Sequence, residues 1–169
     1  MPKWIDVNGP VLANTVYSDG ELVAKDTAIT LPEIAFGTAE FKASGPLSLP
    51  IYSQIENMEA TIHKGGVDIG LVKMLILEPK TIETRFALDV LKSDGNTTAI
   101  GAKAFMRLMP NKIPGISAES GTSIESDLTF TVTRYQLYVN GEEYWLIDKL
   151  AQIVRIHGKD YYDSLASLL

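Results

Sequence analysis

The strongest folding signal in the sequence is the stretch DLTFTVTRYQLYVNGEEYWLI, which covers residues 127–147. Apolar and polar residues alternate on both sides of its centre, and this two-residue period is typical of β-strands with one buried face. At the centre, Asn140-Gly141 is a favoured sequence for a two-residue hairpin turn. The stretch therefore predicts antiparallel strands over residues 127–139 and 142–147, with Asn140 and Gly141 as the structural turn.

The alternation slips by one residue inside the first of these strands. Apolar positions are even-numbered up to Val132 and odd-numbered from Tyr135 onward. In a regular strand, a one-residue slip moves every later side chain to the opposite face. We therefore expect a β-bulge between Val132 and Tyr135, or a strand that changes sheets there.

Most other segments also have a two-residue period, which predicts a mainly β protein. Residues 81–91 and 97–109 form a second long hairpin, with the turn residues KSDGN between them. The shorter elements are two strands, one internal helix and one terminal helix, predicted over residues 26–31, 57–62, 67–77 and 160–169, respectively. The internal helix is expected to pack on the apolar faces of the long strands, on Phe86, Leu88, Phe130 and Val132.

Residues 36–50, FGTAEFKASGPLSLP, have no sustained period and contain two Gly and two Pro residues. We interpret them as an irregular loop that is too long for a hairpin turn. Loops of this length inside compact domains usually serve a function.

Length and composition restrict the class of protein. The 169 residues fit one domain, residues 1–169, and 46% of them are apolar, which excludes a disordered chain. The net charge of −6 has the wrong sign for a protein that binds DNA or an anionic membrane. The absence of cysteine removes disulfides, zinc ribbons and thiol nucleophiles. With no membrane-spanning or signal segment, we expect a soluble protein made in the cytoplasm.

No arrangement of residues points to catalysis, so we expect no enzyme activity, no metal and no cofactor. His63 and His157 each stand alone, and Gly65-Gly66 lacks any phosphate-binding frame. The long strands are more informative. Lys103 and Arg107 share a strand face with Phe105 and Met109. Such a face either lines an interface or has long side chains whose charged ends reach solvent.

An ordered series of short motifs links this sequence to a known family. In residues 129–169 the series consists of Tyr135, Tyr138, Asn140-Gly141, Ile147-Asp148, Ile153, Gly158 and Asp160, ahead of the terminal helix. Upstream, ITLPEI at residues 29–34 matches a strand end of the same family. The series resembles the major tail tube protein of contractile-tailed bacteriophages and of phage-tail-like bacteriocins, over about residues 26–169.

The resemblance implies a β-sandwich or barrel with one flanking α-helix, a long extended loop and a short C-terminal helix. It also implies a structural protein of the virion tail, made in the host bacterial cytoplasm, whose hexameric rings stack into a tube inside a contractile sheath. The strands are long enough to join across subunits into a continuous barrel. The implied partners are further copies of the chain, the sheath, the tape-measure protein, the baseplate and the tail terminator. DNA would pass without specific binding, because a negative wall repels it.

In this interpretation the loop over residues 36–51 reaches the neighbouring ring, and it becomes ordered only on assembly. Its contact residues are predicted to be Phe41, Lys42, Ser44, Gly45, Leu47, Leu49 and Ile51. The predicted lumen residues are Glu59, Asp89 and Asp127. The alternative is a small β-sandwich module that binds a ligand or glycan through Trp4, Trp145 and the seven tyrosines, with a hydrolase as a more distant third.

Overall fold

The computed structural model describes residues 7–25, 27–66 and 69–169. The strands are β1 Val7–Ser18, β2 Glu21–Lys25, β3 Ala28–Thr30, β4 Phe36–Lys42, β5 Pro46–Ile55, β6 Met58–Gly65, β7 Lys80–Leu91, β8 Thr97–Pro110, β9 Glu125–Val139, β10 Glu142–Asp148, β11 Ile153–Ile156 and β12 Lys159–Asp160. The helices are α1 Ile69–Met74 and α2 Asp163–Ala166. Neither of these helices is long or apolar enough to cross a membrane.

Ten strands form one antiparallel sheet with a branch. Its main path runs β12-β11-β10-β9-β8-β7-β1-β2, while β6 pairs with β9 and carries β3 on its other edge. The mainly β prediction is confirmed. No barrel closes among the described strands, because β2 and β12 stand unpaired with each other at the two ends of the path. The sheet does curve, since Lys64 Nζ on β6 donates a hydrogen bond to the Val23 carbonyl on β2 at 3.1 Å.

The branch explains the slip in the apolar pattern of β9. The register between β8 and β9 skips Thr133, so Arg107 opposes Arg134 while Leu108 opposes Val132. On the other edge, the first half of β9 pairs with β6 and the second half with β10. The expected bulge is therefore confirmed. Strand β9 also changes partners on one edge at this point, but β6 and β10 belong to the same sheet, so β9 does not change sheets.

One core collects the apolar faces of the long strands. Leu128, Phe130 and Val132 from the first half of β9 are buried together with Tyr135 and Leu137 from the second half. Because of the bulge, both halves point their apolar side chains to the same side despite the change in phase.

Both helices are shorter than predicted. Helix α1 adds Met74 to the core that contains Phe130 and Val132, and Phe86 and Leu88 are half-buried against that core. It ends at Met74, whose carbonyl accepts a hydrogen bond from Lys80, as does that of Ile76 after the helix. Residues 67 and 68 lie outside the described part. The predicted terminal helix is reduced to α2, since Lys159–Asp160 pairs with β11 instead.

Residues 36–50 are a β-hairpin, so the loop interpretation is wrong. Strands β4 and β5 pair from Phe36 and Ile55 to Lys42 and Pro46, and Gly45 takes a positive φ of 148° in the turn. Two prolines interrupt the pattern in sequence, but a two-stranded sheet has only edge strands, where a missing N–H is tolerated.

Strands β1 and β2 were not foreseen, nor were β11 and β12, and one predicted strand is shorter than expected. Strands β1 and β2 are joined at Asp19-Gly20, where both residues have positive φ, of 49° and 87°. Their sequence is rich in Gly, Asn and Pro and lacks alternation. The predicted strand over residues 26–31 is present as Ala28–Thr30, and residue 26 lies outside the described part.

Candidate functional site

The β4–β5 hairpin separates its side chains into an apolar and a polar face. Phe41 opposes Leu47 and Ala39 opposes Leu49, while the alternating pairs place Glu40 opposite Ser48 and Lys42 opposite Pro46. Successive pairs point to opposite faces of a sheet. Ala39, Phe41, Leu47, Leu49 and Ile51 therefore share one side, which we call the apolar ribbon face.

The base of the ribbon is attached to the body and its far end is free. Phe36 packs edge-on against Tyr52 at 5.2 Å between ring centroids, and Tyr52 contacts Tyr161 at 5.9 Å. Farther out, Phe41 is 54% exposed and Leu47 is 45% exposed. A two-stranded hairpin is marginal by itself, and clustered apolar exposure of this kind marks an interaction surface.

The structure separates the predicted contact residues into three groups. Four of them, Phe41, Leu47, Leu49 and Ile51, lie on the apolar ribbon face. Lys42 lies on the opposite face, and Ser44 and Gly45 form the turn. Sequence reasoning did not identify the shared face, although Leu47, Leu49 and Ile51 occupy alternate positions in the sequence. Only the register of the hairpin shows that these residues lie on the same side as Ala39 and Phe41.

Two of the three predicted lumen residues lie on the same face of the β6–β9 pair, four residues apart along the strands. Glu59 on β6 opposes Thr131 and Asp127 on β9 opposes His63, so both acids lie on the outer side of the sheet and are exposed. Asp89 lies on the same side, but it opposes Ala99 toward the other end of β7.

His63 reduces the negative charge around Asp127. Its Nδ1 is hydrogen-bonded to Asp127 Oδ1, and its Nε2 lies 3.5 Å from Glu125 Oε2. The hydrogen bond to Asp127, with the charge of Glu125 adding to it, raises the pKa of His63 above its ordinary value. The three groups together thus become more negative as pH rises through that pKa.

The outer side of the sheet also contains a groove of about 860 Å³ across β1, β7, β8 and β9. Small residues, Ala13, Ala87 and Gly101, line part of it, beside the longer side chains of Lys103 and Tyr138. A Cβ added to Gly101 would meet no atom within 4 Å, which shows how open the groove is.

The groove is positively charged, in contrast to the acidic protein as a whole. Three cations line it: Arg85 is paired with Glu83 and Arg134 with Asp148, whereas Lys103 forms no ion pair with any residue that the structure describes. Phe105 lies between Lys103 and Arg107 along β8 and packs edge-on against Tyr138, with 5.9 Å between ring centroids. The mixture of cations and aromatic rings anticipated for this strand face is present.

Of the eight described aromatic residues proposed for a ligand site, four belong to the core or pack against it: Tyr135, Tyr144, Trp145 and Tyr161. Trp145 packs against Tyr135 with 5.8 Å between ring centroids, and burial raises the pKa of Tyr135 to about 12. Trp4 lies outside the described residues. In the part of the chain that the structure describes, no three His, Asp or Glu side chains are grouped so that they could hold a metal ion.

Solved structures of contractile injection systems share this fold. A chain of the sheath/tube terminator of the extracellular contractile injection system PVC aligns with a TM-score of 0.54 and 16% identity, over 76% of this chain and 95% of that one. A chain of the PVC sheath-tube complex aligns with a TM-score of 0.51 and 17% identity, over 77% and 90%. The anti-feeding prophage cap, described as the AFP tube terminating cap, gives 0.54 and 17%, over 82% and 95%.

A search of curated proteins by sequence found no match. The family model of phage tail tube protein FII, in contrast, matches residues 11–169. This match extends the resemblance seen in the motif series to β1 and β2, where the sequence motifs were weakest. The chain belongs to the phage tail tube protein FII family, a structural and non-enzymatic family of tail components.

Proposed function

We propose that this protein builds the inner tube of a contractile tail by forming hexameric rings that stack on one another. The tube is a conduit for DNA and the tape-measure protein. Family membership supports the role in a tube. We infer the stacking of rings from the apolar ribbon face. A ribbon with exposed Phe41, Leu47 and Leu49 needs a partner surface, and a neighbouring ring supplies one.

The gain from stacking is small per subunit and large per ring. Each of these side chains is about half exposed, so burying the remainder contributes about 1 kcal/mol per side chain. Six copies per ring then act together, because one ring docks as a unit. Weak single contacts thereby give a stable tube and leave the isolated subunit soluble.

The proposed conduit is lined by the acidic part of the outer side of the sheet, which includes Glu59 and Asp127, with Asp89 as a further candidate. A net charge of −6 per subunit and an exposed acidic wall repel passing DNA. The remaining surfaces of the tube would meet the sheath along its length and the baseplate and terminator at its ends. The assembly is a virion tail or a tailocin, made in the host bacterial cytoplasm.

Negative-stain microscopy and size-exclusion chromatography of the purified chain test the proposal. The unaltered chain should form rings or tubes, whereas Phe41→Glu should prevent tubes and leave the thermal unfolding of the subunit unchanged. Glu40→Gln is the matched control, because Glu40 is adjacent in sequence and lies on the polar face. A chain that remains monomeric under all conditions, or normal tubes from Phe41→Glu, would contradict the proposal.

A further inference from the structure

The pairing of β4 and β5 has an irregular step near the base of the ribbon. Phe36 opposes Ile55, but the next residue, Gly37, opposes Ile51, so residues 52–54 of β5 have no residue of β4 opposite them. We call residues 52–54 the ribbon bulge. Extra residues on one strand bend that strand and interrupt its pairing. The ribbon bulge is therefore the point at which the outer part of the ribbon can change its direction.

The two sides of the ribbon bulge differ in how they are packed. At the base, Phe36 and Ile55 are partly buried against the core of the protein. On the outer side, Phe41 and Leu47 are about half exposed, and the ribbon pairs with no other described strand. The direction of the outer part thus depends on what contacts the ribbon bulge itself.

Tyr52, the first residue of the ribbon bulge, contacts the C-terminal part of the chain. Its ring centroid lies 5.9 Å from that of Tyr161, with an angle of 55° between the ring planes. On the ribbon itself, Phe36 packs edge-on against the same ring at 5.2 Å. Aromatic rings at these spacings attract each other in edge-on and tilted arrangements. Tyr52 therefore connects the ribbon bulge both to the base of the ribbon and to Tyr161.

Tyr161 is held in place by the body of the protein. It directly follows β12, and its backbone N–H donates a hydrogen bond to the carbonyl of Val154, a buried residue of β11, at 2.8 Å. Its side chain is partly buried against the core, and Lys159 Nζ lies 5.1 Å from the centroid of its ring. The Tyr161 ring is thus a fixed support next to a bend in the ribbon.

From these contacts we propose that Tyr161 is a positioning residue for the ribbon: its ring supports Tyr52 and so sets the direction in which the ribbon leaves the body. The inference rests on the proposed stacking, in which the apolar ribbon face must point at the neighbouring ring. A segment that is already held in its binding direction loses less conformational freedom on association. The contact sets the direction of the ribbon and leaves its outer strands free to separate.

Distances between two spin labels test this support in the isolated subunit. The chain contains no cysteine, so Glu40→Cys on the polar face of the ribbon and Ala99→Cys on β8, both exposed, give two defined attachment sites. The distance distribution, measured by double electron–electron resonance, should be narrow in the otherwise unaltered chain and in Tyr161→Phe, which keeps the ring. It should broaden in Tyr161→Ala and in Tyr52→Ala, because each removes one ring of the contact.

The same substitutions, without the labels, are then examined for assembly by negative-stain microscopy. Tyr161→Ala and Tyr52→Ala should form rings but lose the stacked tubes, whereas Tyr161→Phe should form normal tubes. Tyr144→Ala is the matched control, because Tyr144 is also partly buried against the core but packs against Trp145. This control should lower the melting temperature of the subunit without broadening the distances.

An unchanged distance distribution in the two alanine variants, or broadened distances together with normal tubes, would overturn this inference and leave the proposed function standing. Equal broadening by Tyr144→Ala would also overturn it, because the effect would then reflect a general loosening of the core. Tyr52 is 50% exposed, so Tyr52→Ala decides the question if Tyr161→Ala does not fold. If the unaltered chain forms no tubes, the proposed function fails, and the distances still decide whether Tyr161 holds the ribbon.

Discussion

At the scale of single residues, Lys80 supplies a charged hydrogen-bond donor to carbonyl groups at and just after the end of α1. It is buried, and its Nζ donates hydrogen bonds to the carbonyls of Met74 at 2.9 Å and Ile76 at 2.6 Å. Burial lowers the pKa of the Lys80 ammonium group below its ordinary value. The carbonyl of Met74, at the end of α1, has no partner within the helix, and Lys80 supplies one.

Lys80→Met should therefore destabilise the subunit by about 1–3 kcal/mol, because two carbonyls lose a charged donor. Denaturant unfolding of the isolated subunit measures this. Lys73→Met is the control, since Lys73 lies in the same helix but is paired with Glu21 only at the surface. Equal effects of the two substitutions would show that Lys80 has no special role at the helix end.

Gly141 is a second residue whose role depends on backbone geometry. Asn140 and Gly141 both have positive φ, of 53° and 78°, as a type I′ hairpin turn requires. Gly141→Val should cost about 1–2 kcal/mol, because a β-branched residue resists this region. The expected fall in melting temperature is about 2–8 °C for a chain of this size.

A thermal melt of Gly141→Val compared with Gly115→Val isolates this strain. Both glycines have open space where a side chain would be added, but Gly115 has no positive φ. An unchanged melting temperature for Gly141→Val would argue against the turn as described.

At the scale of elements, the β4–β5 ribbon has few contacts to hold it in the isolated subunit. It pairs with no other described strand, and its aromatic contacts are confined to the base, at Phe36 and Tyr52. Its two strands still pair along their whole length, which the interpretation as a loop did not anticipate.

We expect the amide hydrogens of residues 38–49 to exchange rapidly in the isolated subunit and slowly in the tube, because assembly supplies the missing contacts. Hydrogen exchange with mass spectrometry on both states measures this, with β8 as the internal reference that should be protected in both. Slow exchange of the ribbon in the isolated subunit would contradict the prediction that assembly orders it.

At the scale of the whole molecule, charge is distributed unevenly over the outer side of the sheet. Glu59, Glu125 and Asp127 lie where β6 meets β9, whereas Lys103 and Arg107 lie along β8. An assembled ring can therefore present an acidic wall at one place and a cationic contact at another, although the subunit has a net charge of −6.

Single reversals at the lumen candidates, Glu59→Lys, Asp89→Lys and Asp127→Lys, should leave tubes intact and increase their retention of short DNA at low salt. Attraction then replaces repulsion at a solvated wall, and added salt should abolish the difference. Glu119→Lys, in the exposed segment after β8, makes the same change of charge and serves as the control. Lost assembly would place a residue at a subunit contact, and unchanged retention would place it on the outside of the tube.

Local patterns in the sequence were sufficient to predict the elements that have a clear period. The β7–β8 and β9–β10 hairpins and the slip between Val132 and Tyr135 could be predicted because alternation and turn residues are local properties. The resemblance to the family could also be recognised from the sequence, because the family's motifs lie in the same order along the chain.

The other elements and surfaces depend on pairing between strands that are distant in the chain. Strand β1 is extended because β7 and β2 pair with it on both sides, although its own residues have weak strand preference. The apolar ribbon face depends on the register of β4 and β5, and the groove is lined by residues of four strands and by Gly141 in the turn between β9 and β10. Surfaces of this kind arise from pairing between distant segments, and no local pattern in the chain encodes that pairing.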